Sequence, residues 1–281
     1  MQGTRSRFLT VMITLGMAFF YIPMILLVIY SFNYSRIVPV WGGWSTRWYE
    51  VLFFESPEVW AAVRLSLQIA FVNATCAVII GTLAALAMVR FGRFRGRTLF
   101  GGMLVAPLVM PEVITGISLL VLFITLQQLV GWPAERGFTT ITIAHITFSL
   151  AYVAITVQAR LTGMGQDLEE AASDLGAKPF KVLTAITIPR LTPALVSGWL
   201  LAFTLSLDDL VIASFVTGPG ANTLPILIFS RIRLGLRPDI NALATIIILV
   251  VAVCVAIAAL IMYRQHKRDL RDEQLAERGG G

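Results

Sequence analysis

The sequence predicts an all-α polytopic membrane protein with six transmembrane helices and both termini on the cytoplasmic side. Of the 281 residues, 57% are hydrophobic and 14% charged, too apolar a balance for a soluble domain of ordinary composition. The apolar residues gather in runs of about 20 or more, enough to cross a bilayer as helix. Fifteen of the 22 lysines and arginines fall in the segments that this topology places inside, the bias that sets the orientation of membrane proteins. The net charge of +6 is accounted for by those inner segments, so lipid is the expected surrounding and nucleic acid is not an expected partner.

Arg5 and Arg7 precede residues 8–35, 28 positions without a charge. This run is too long for a signal-peptide core and no A-x-A-like site follows it, so it is expected to remain as the first span. Residues 33–60 hold Trp41, Trp44, Trp48, Trp60 and Tyr49, amphipathic rings expected of an outer loop lying along the headgroups. Residues 65–89 form the second span, closed inside by Arg90, Arg93, Arg95 and Arg97. Residues 98–134 are too long for one straight span and contain Pro107, Pro111 and a single charge, Glu112. Within a membrane such a helix break survives only where protein or a water-filled cavity satisfies the freed backbone groups, which places a bend near 107–112 facing an internal route. Gly131-Trp132-Pro133 then turns the chain on the outer side, and residues 137–159 return to Arg160 inside.

The fifth run begins near Leu191, with Pro193 in its first turn, and stays uncharged to Asp208 and Asp209. Residues 217–225, TGPGANTLP, break it with two Gly, two Pro and an Asn. Arg231, Arg233 and Arg237 are assigned to an outer segment, residues 240–263 to the last span, and residues 264–281 to a cytoplasmic tail. This divides the chain into residues 1–60 (first span and outer loop), a core of 61–263, and the tail. Cys76 and Cys254 both lie in apolar runs and read as packing residues, since two cysteines build neither a metal quartet nor a disulfide framework.

Between the fourth and fifth spans, residues 169–189 read as a polar helical hairpin. Asp167 is placed to cap its first helix, with Glu170 completing a capping-box pattern. Leu168, Ala171, Ala172 and Leu175 recur at the spacing of one helix face, the two alanines permitting close approach by a partner. Gly176 suits the left-handed residue that ends a helix, and Pro179 the first turn of the next. On local pattern alone, an ordinary connector between spans reads equally well.

Glu170, Ala171, Ala172, Gly176, Ile186 and Pro189 also match the E-A-A-x3-G-x9-I-x-L-P loop of type I ABC importer permeases, with Ile188 at the usual Leu. The strings LVMPEVITGISLL, LAFTLSLDDLVIASFVTGPGANTLPILIFS and VRFGRFRG resemble the permease subunits of putrescine importers in particular. That resemblance extends over most of the chain and implies the type I permease fold, with residues 160–190 as the coupling loop. Glu169 stands beside the motif acid Glu170, which in that family pairs with an arginine on a separate cytoplasmic ATPase. The expected partners are a second, similar permease, a dimeric ATPase and a periplasmic polyamine-binding protein, in the bacterial inner membrane. ATP and Mg would be held on the ATPase, with no cofactor on this chain. The solute would be putrescine or a related polyamine.

Glu112, Asp208 and Asp209 are the three carboxylates in otherwise lipid-compatible runs. An acid at mid-span costs about 2.5–3.5 kcal/mol on insertion scales, so such groups face a bundle interior, pair, or serve transport. Spaced carboxylates suit a diamine, which carries a charge at each end of an apolar stem, and all three are candidate pathway residues. The alternatives are a helix-end acid for Glu112 and structural pairing of Asp208 or Asp209 with Arg64 or Arg231. His145 reads as a helix–helix hydrogen-bonding group, and Trp132 and the loop tryptophans as interfacial anchors.

The chain has no G-x4-G-K-[ST] phosphate loop, no H-E-x-x-H helix and no G-x-S-x-G elbow. Nucleotide chemistry, zinc proteolysis and serine hydrolysis therefore have no motif here. Competing readings are a permease of the same architecture for a metal ion or oxyanion, an ion-gradient carrier using the acids as proton sites, and a membrane scaffold.

Overall fold

A computed structural model describes residues 2–36, 40–235 and 238–279; Arg237, assigned from sequence to an outer segment, lies outside the described residues. The chain forms two compact units, Met1–Pro57 with Arg231–Gly281, and Glu58–Ser230. Among the described residues, six helices are long and apolar enough to cross a membrane: Arg7–Ser31, Pro57–Arg90, Glu112–Val130, Phe138–Gly163, Pro179–Asp208 and Pro238–Ile257. These are the six spans expected from sequence.

In the first unit, α1 (Gln2–Ser31) packs against α12 (Pro238–Gly279), which also contacts α2 (Arg47–Phe54). The loop between α1 and α2 is organised by Asn33, fully buried. Its Nδ2 donates to the Val40 carbonyl at 2.7 Å, and its Oδ1 accepts from the Gly42 and Ser35 amides. Its own carbonyl accepts from Trp48 Nε1 at 2.6 Å. Trp48 is accordingly buried and is a packing residue of this loop, correcting its reading as an interfacial anchor; Trp44 remains exposed. α12 continues without interruption to Gly279, through residues assigned from sequence to the tail. The sequence from 264 to 278 is built of good helix formers with no Gly or Pro to stop it.

The second unit contains α3 (Pro57–Arg90), α4 (Arg97–Val109), α5 (Glu112–Val130), α6 (Phe138–Gly163), α7 (Asp167–Asp174), α8 (Pro179–Val182), a π-turn (Leu183–Thr187), α9 (Ile188–Asp208), α10 (Val211–Val216) and most of α11 (Leu224–Leu234). α6 is its centre. In its apolar window 61% of residues are buried, against 11% in α5. One cluster joins Ile69, Phe123, Ile141, Phe148, Ile212 and Val216; a second joins Ala74, Ala77, Val153, Val157, Leu191 and Ala202.

Small residues make the second cluster possible. A Cβ at Gly81 would lie 3.0 Å from Val153 and 3.1 Å from the Ala154 amide, and one at Gly198 would lie 3.3 Å from Val153. Val153 thus occupies the space that both glycines vacate, the packing mode membrane helices use where hydrophobic burial gives no bias between helix and lipid. Asn73, fully buried on α3, donates to the Ala202 carbonyl of α9 at 2.9 Å and to Ser149 Oγ of α6 at 3.2 Å, tying the three helices together.

The break between α4 and α5 falls at Met110 and Pro111, both extended (ψ 135° each). Proline disfavours the helical region for the residue before it, so Pro111 ends α4 through Met110. Pro107 is accommodated inside the last turn of α4. The bend is therefore made by one of the two prolines, and Met110 to Glu112 are exposed on the surface of the chain.

The fifth span also departs from expectation. It does not begin near Leu191 but continues from Pro179 to Asp208 through the π-turn. Pro189 has no N–H to give the Ala185 carbonyl, and its ring would collide with that oxygen. Widening the turn, with the Ile188 amide donating to the Leu183 carbonyl, makes room for the ring and lets the helix continue.

Candidate functional site

The hairpin is built from α7, the turn at residues 175–178, and α8 with the π-turn. Its first helix begins at Asp167 with Gln166 as N-cap and no side-chain capping bond. Asp167 is thus the first helical residue, correcting its assignment as the cap; with Glu169 and Glu170 it still places three acids at the positive end of the helix dipole. The turn is a Schellman motif. The Ala177 amide donates to the Ala172 carbonyl at 3.0 Å and the Gly176 amide to the Ser173 carbonyl at 2.9 Å, with Gly176 at φ +82°. This satisfies the last carbonyls of α7 through a left-handed residue that glycine adopts without penalty. Pro179 follows at the first position of α8.

No residue of α7 is buried. Leu168 and Leu175 are 54% and 89% exposed, and Glu170 and Ala171 are exposed with Ala172 half-buried. Among the described residues, this apolar stripe flanked by acids, on a two-turn helix, is left largely exposed. Ile186 lies in the π-turn and Pro189 in the first turn of α9.

The two adjacent glutamates part company. Glu170 faces outward, whereas the Glu169 side chain is only 16% exposed and turns toward Arg90, the last residue of α3. Arg90 Nε stands 3.1 Å from Glu169 Oε2 as an ion pair outside hydrogen-bond alignment. The aligned bond is from Arg90 Nη2 to Glu169 Oε1 at 3.3 Å, and the same nitrogen donates to the Met164 carbonyl at 3.3 Å. Thr187 Oγ1 donates to Glu169 Oε1 at 2.9 Å. Beside these groups lies a cleft of about 440 Å³ lined by Leu83, Leu86, Arg90, Glu169, Phe180 and Thr187.

The three carboxylates of the apolar runs occupy two helix breaks. Glu112 is exposed in the first turn of α5, directly after Pro111. Asp208 ends α9 and is exposed, and Asp209 is extended (φ −66°, ψ 119°) before α10. The Asp209 side chain is 7% exposed. Its oxygens accept from the Ile212 and Ala213 amides at 3.3 and 2.7 Å, and His145 Nε2 stands 3.1 Å from Oδ2. His145 Nδ1 in turn lies 2.7 Å from Ser206 Oγ.

Ser206, His145 and Asp209 thus stand in a line, but Ser206 and His145 are both buried, and a nucleophile must be reachable by the group it attacks. The line is a clamp between α6, α9 and the start of α10. Its partner for Asp209 is His145, and Arg231 pairs instead with Asp239 at 2.7 Å. That replaces the pairing of Asp209 with Arg64 or Arg231.

Sequence reasoning did not single out Arg90, Thr187 or Ser206. Arg90 was one of four arginines with an adequate explanation as topology determinants. The available signal was a paired acid, Glu169-Glu170, in a hairpin whose motif uses only one of the two.

Residues 77–271 match the family model described as binding-protein-dependent transport system inner membrane component. The chain is 56% identical over 275 residues to the putrescine transport system permease protein PotI of Escherichia coli K12, covering 98% of each. It is 42% identical over 255 residues to the spermidine/putrescine transport system permease protein PotC of the same strain, covering 91% of this chain and 94% of PotC. Among solved structures it resembles a chain of a bacterial ABC transporter that imports the acidic polysaccharide alginate, with TM-score 0.66, 15% identity and coverage of 92% and 96%. It also resembles a chain of the MetNI methionine ABC transporter, with TM-score 0.58, 16% identity and coverage of 72% and 94%. At those identities the structures speak to the fold, that of type I ABC importer permeases.

Proposed function

We propose, starting from the fact that the chain belongs to the family of binding-protein-dependent transport system inner membrane components, that it is the permease subunit through which an ATP-driven importer moves putrescine or a related polyamine. The observation that carries the solute is 56% identity over 98% of the chain to a putrescine transport permease. The acids at the helix breaks are the chemistry a diammonium solute requires.

In this reading a cytoplasmic ATPase dimer holds ATP and Mg and grips α7. Glu170 offers the charge for an arginine of the ATPase, and Ala171 and Ala172 allow close approach beside the Leu168 and Leu175 stripe. Closure of the ATPase on nucleotide displaces the hairpin, and the continuous helix from Pro179 to Asp208 carries that displacement across the membrane to the break at Asp208 and Asp209. Gly176 keeps the hairpin sharply bent so that it moves as one body. Asp208, exposed at that break, and Glu112, exposed at the break before α5, are the pathway contacts for the ammonium groups. Asp209 lines the route less directly, its carboxylate already engaged by His145 and two backbone amides. A second permease, a periplasmic polyamine-binding protein and both termini in the cytoplasm complete the arrangement.

The test is competition for uptake in cells expressing the complete system with labelled putrescine. Unlabelled putrescine should abolish uptake of label, and spermidine should compete more weakly. Uptake undiminished by excess unlabelled putrescine, or abolished equally by an unrelated divalent metal or an oxyanion, would assign the system a different cargo.

A further inference from the structure

α7 has no buried residue and rests mainly on its own hairpin, against α8 and the π-turn. Glu169 is the exception. Its carboxylate joins the last residue of α3 through Arg90, and the π-turn through Thr187, while Arg90 also holds the Met164 carbonyl just before α7. Three pieces of backbone that are distant in sequence meet on one ion pair whose side chains are 13% and 16% exposed.

That geometry matters for how a displacement would travel. The hairpin has two covalent routes into the membrane, the non-helical link at residues 164–166 from α6 and the helix beginning at Pro179, and the second starts with a π-turn, where the regular hydrogen-bond ladder is interrupted. A push on α7 delivered only through the short link to α6 and this turn would be partly absorbed at both joints. The Arg90–Glu169 pair gives a third route, directly into the end of α3. The guanidinium fork is suited to it, since it can hold a carboxylate and a carbonyl at once in a fixed plane. Its charge also sits at the carboxyl end of the 34-residue helix α3, where a cation is favoured. Inside the membrane, α3 and α9 both close on Val153 of α6 through Gly81 and Gly198, so a push shared between α3 and α9 would move the pair together.

We infer that Arg90 and Glu169 are positioning residues for energy coupling. The pair transmits displacement of the hairpin into α3, so that both helices respond to the ATPase, and it does so without touching solute or nucleotide. The inference rests on the reading of α7 as the ATPase-gripping element.

The experiment uses the complete complex of this chain with its second permease, ATPase and solute-binding protein, in proteoliposomes. Two quantities are read: retention of the ATPase on purification, and putrescine taken up per ATP hydrolysed. Arg90→Gln should retain the ATPase while uptake per ATP falls about tenfold, a loss typical of removing one coupling contact. Arg90→Lys should recover part of it, and Arg90→Glu combined with Glu169→Arg should recover most of it. An uptake-to-hydrolysis ratio for Arg90→Gln within about twofold of wild type overturns the inference. So does a double swap that assembles yet remains as uncoupled as the single variant, or a failure of both Arg90→Gln and the swap to assemble, which would make the pair a folding contact only. If the wild-type chain retains no ATPase, the underlying reading of α7 fails first, and the inference with it.

Discussion

His145 Nε2 and Asp209 Oδ2 meet at 3.1 Å, and this contact fixes the shape of the helix break at the end of α9. Asp209 serves two masters there, capping α10 through the Ile212 and Ala213 amides and accepting from a histidine on α6. Losing Asp209 removes a cap, worth about 0.5–2 kcal/mol, together with an interhelical bond worth roughly 0.6 kcal/mol. Asp209→Ala should therefore lower stability by about 1–2.6 kcal/mol. His145→Ala leaves the capping bonds in place and should cost about 1–2 kcal/mol for its two interhelical bonds and lost packing. Thermal unfolding midpoints in detergent check the order; a larger loss for His145→Ala would mean that the cap contributes little.

Gly81 and Gly198 both face Val153, but with different clearances. An added Cβ at Gly81 meets the Ala154 backbone as well as the valine, and backbone cannot rotate away. Gly81→Ala should cost about 1–3 kcal/mol through overpacking, and Gly198→Ala less than about 1 kcal/mol because a valine methyl can yield. Val153→Ala should rescue the second variant fully and the first only in part. Equal midpoints for the two glycine variants would contradict this packing.

At Gly176 nothing lies within 4 Å of an added Cβ, so the constraint is the positive φ and not space. A non-glycine residue in that conformation costs roughly 1–2 kcal/mol, with Asn tolerated best. Gly176→Val should lower putrescine uptake and substrate-stimulated ATP hydrolysis while membrane insertion is unchanged, and Gly176→Asn should keep most of both. If Asn and Val variants fail alike, the conformational account of this turn is wrong.

Glu170 and Glu169 should separate in their effects. Glu170→Gln removes an exposed charge from the proposed docking face, so ATPase retention should fall and become more sensitive to salt, with no change in the unfolding midpoint. Glu169→Gln weakens an internal pair and should lower the midpoint while retaining the ATPase. Co-purification and thermal unfolding of both variants give the comparison, and interchanged phenotypes would reverse the assignment of the two acids.

The six spans were legible because each is a long run with at most one charge, and the hairpin because Gly176 and Pro179 punctuate it at positions that only particular backbone conformations occupy. The α4–α5 break was legible in kind, but which proline makes it depends on whether the preceding residue can leave the helical region, as Met110 does. The continuity of the helix from Pro179 to Asp208 was not legible, since a proline normally argues for a stop and only the π-turn shows how Pro189 is absorbed. Trp48 looked like its neighbours Trp41 and Trp44; its burial is set by the distant carbonyl of Asn33. The Arg90–Glu169 and His145–Asp209 pairs span 79 and 64 residues, and no local pattern reports contacts at that separation.

The proposed source of energy is ATP hydrolysis on a partner ATPase. Accumulation of labelled putrescine should be measured in proteoliposomes containing this chain, its partner permease and the ATPase, with binding protein on the opposite face. Accumulation should require ATP on the hairpin side, persist when the proton gradient is collapsed, and vanish when the ATPase is omitted. Accumulation that follows an imposed proton gradient in the absence of ATP would contradict the account and leave the hairpin without its motor.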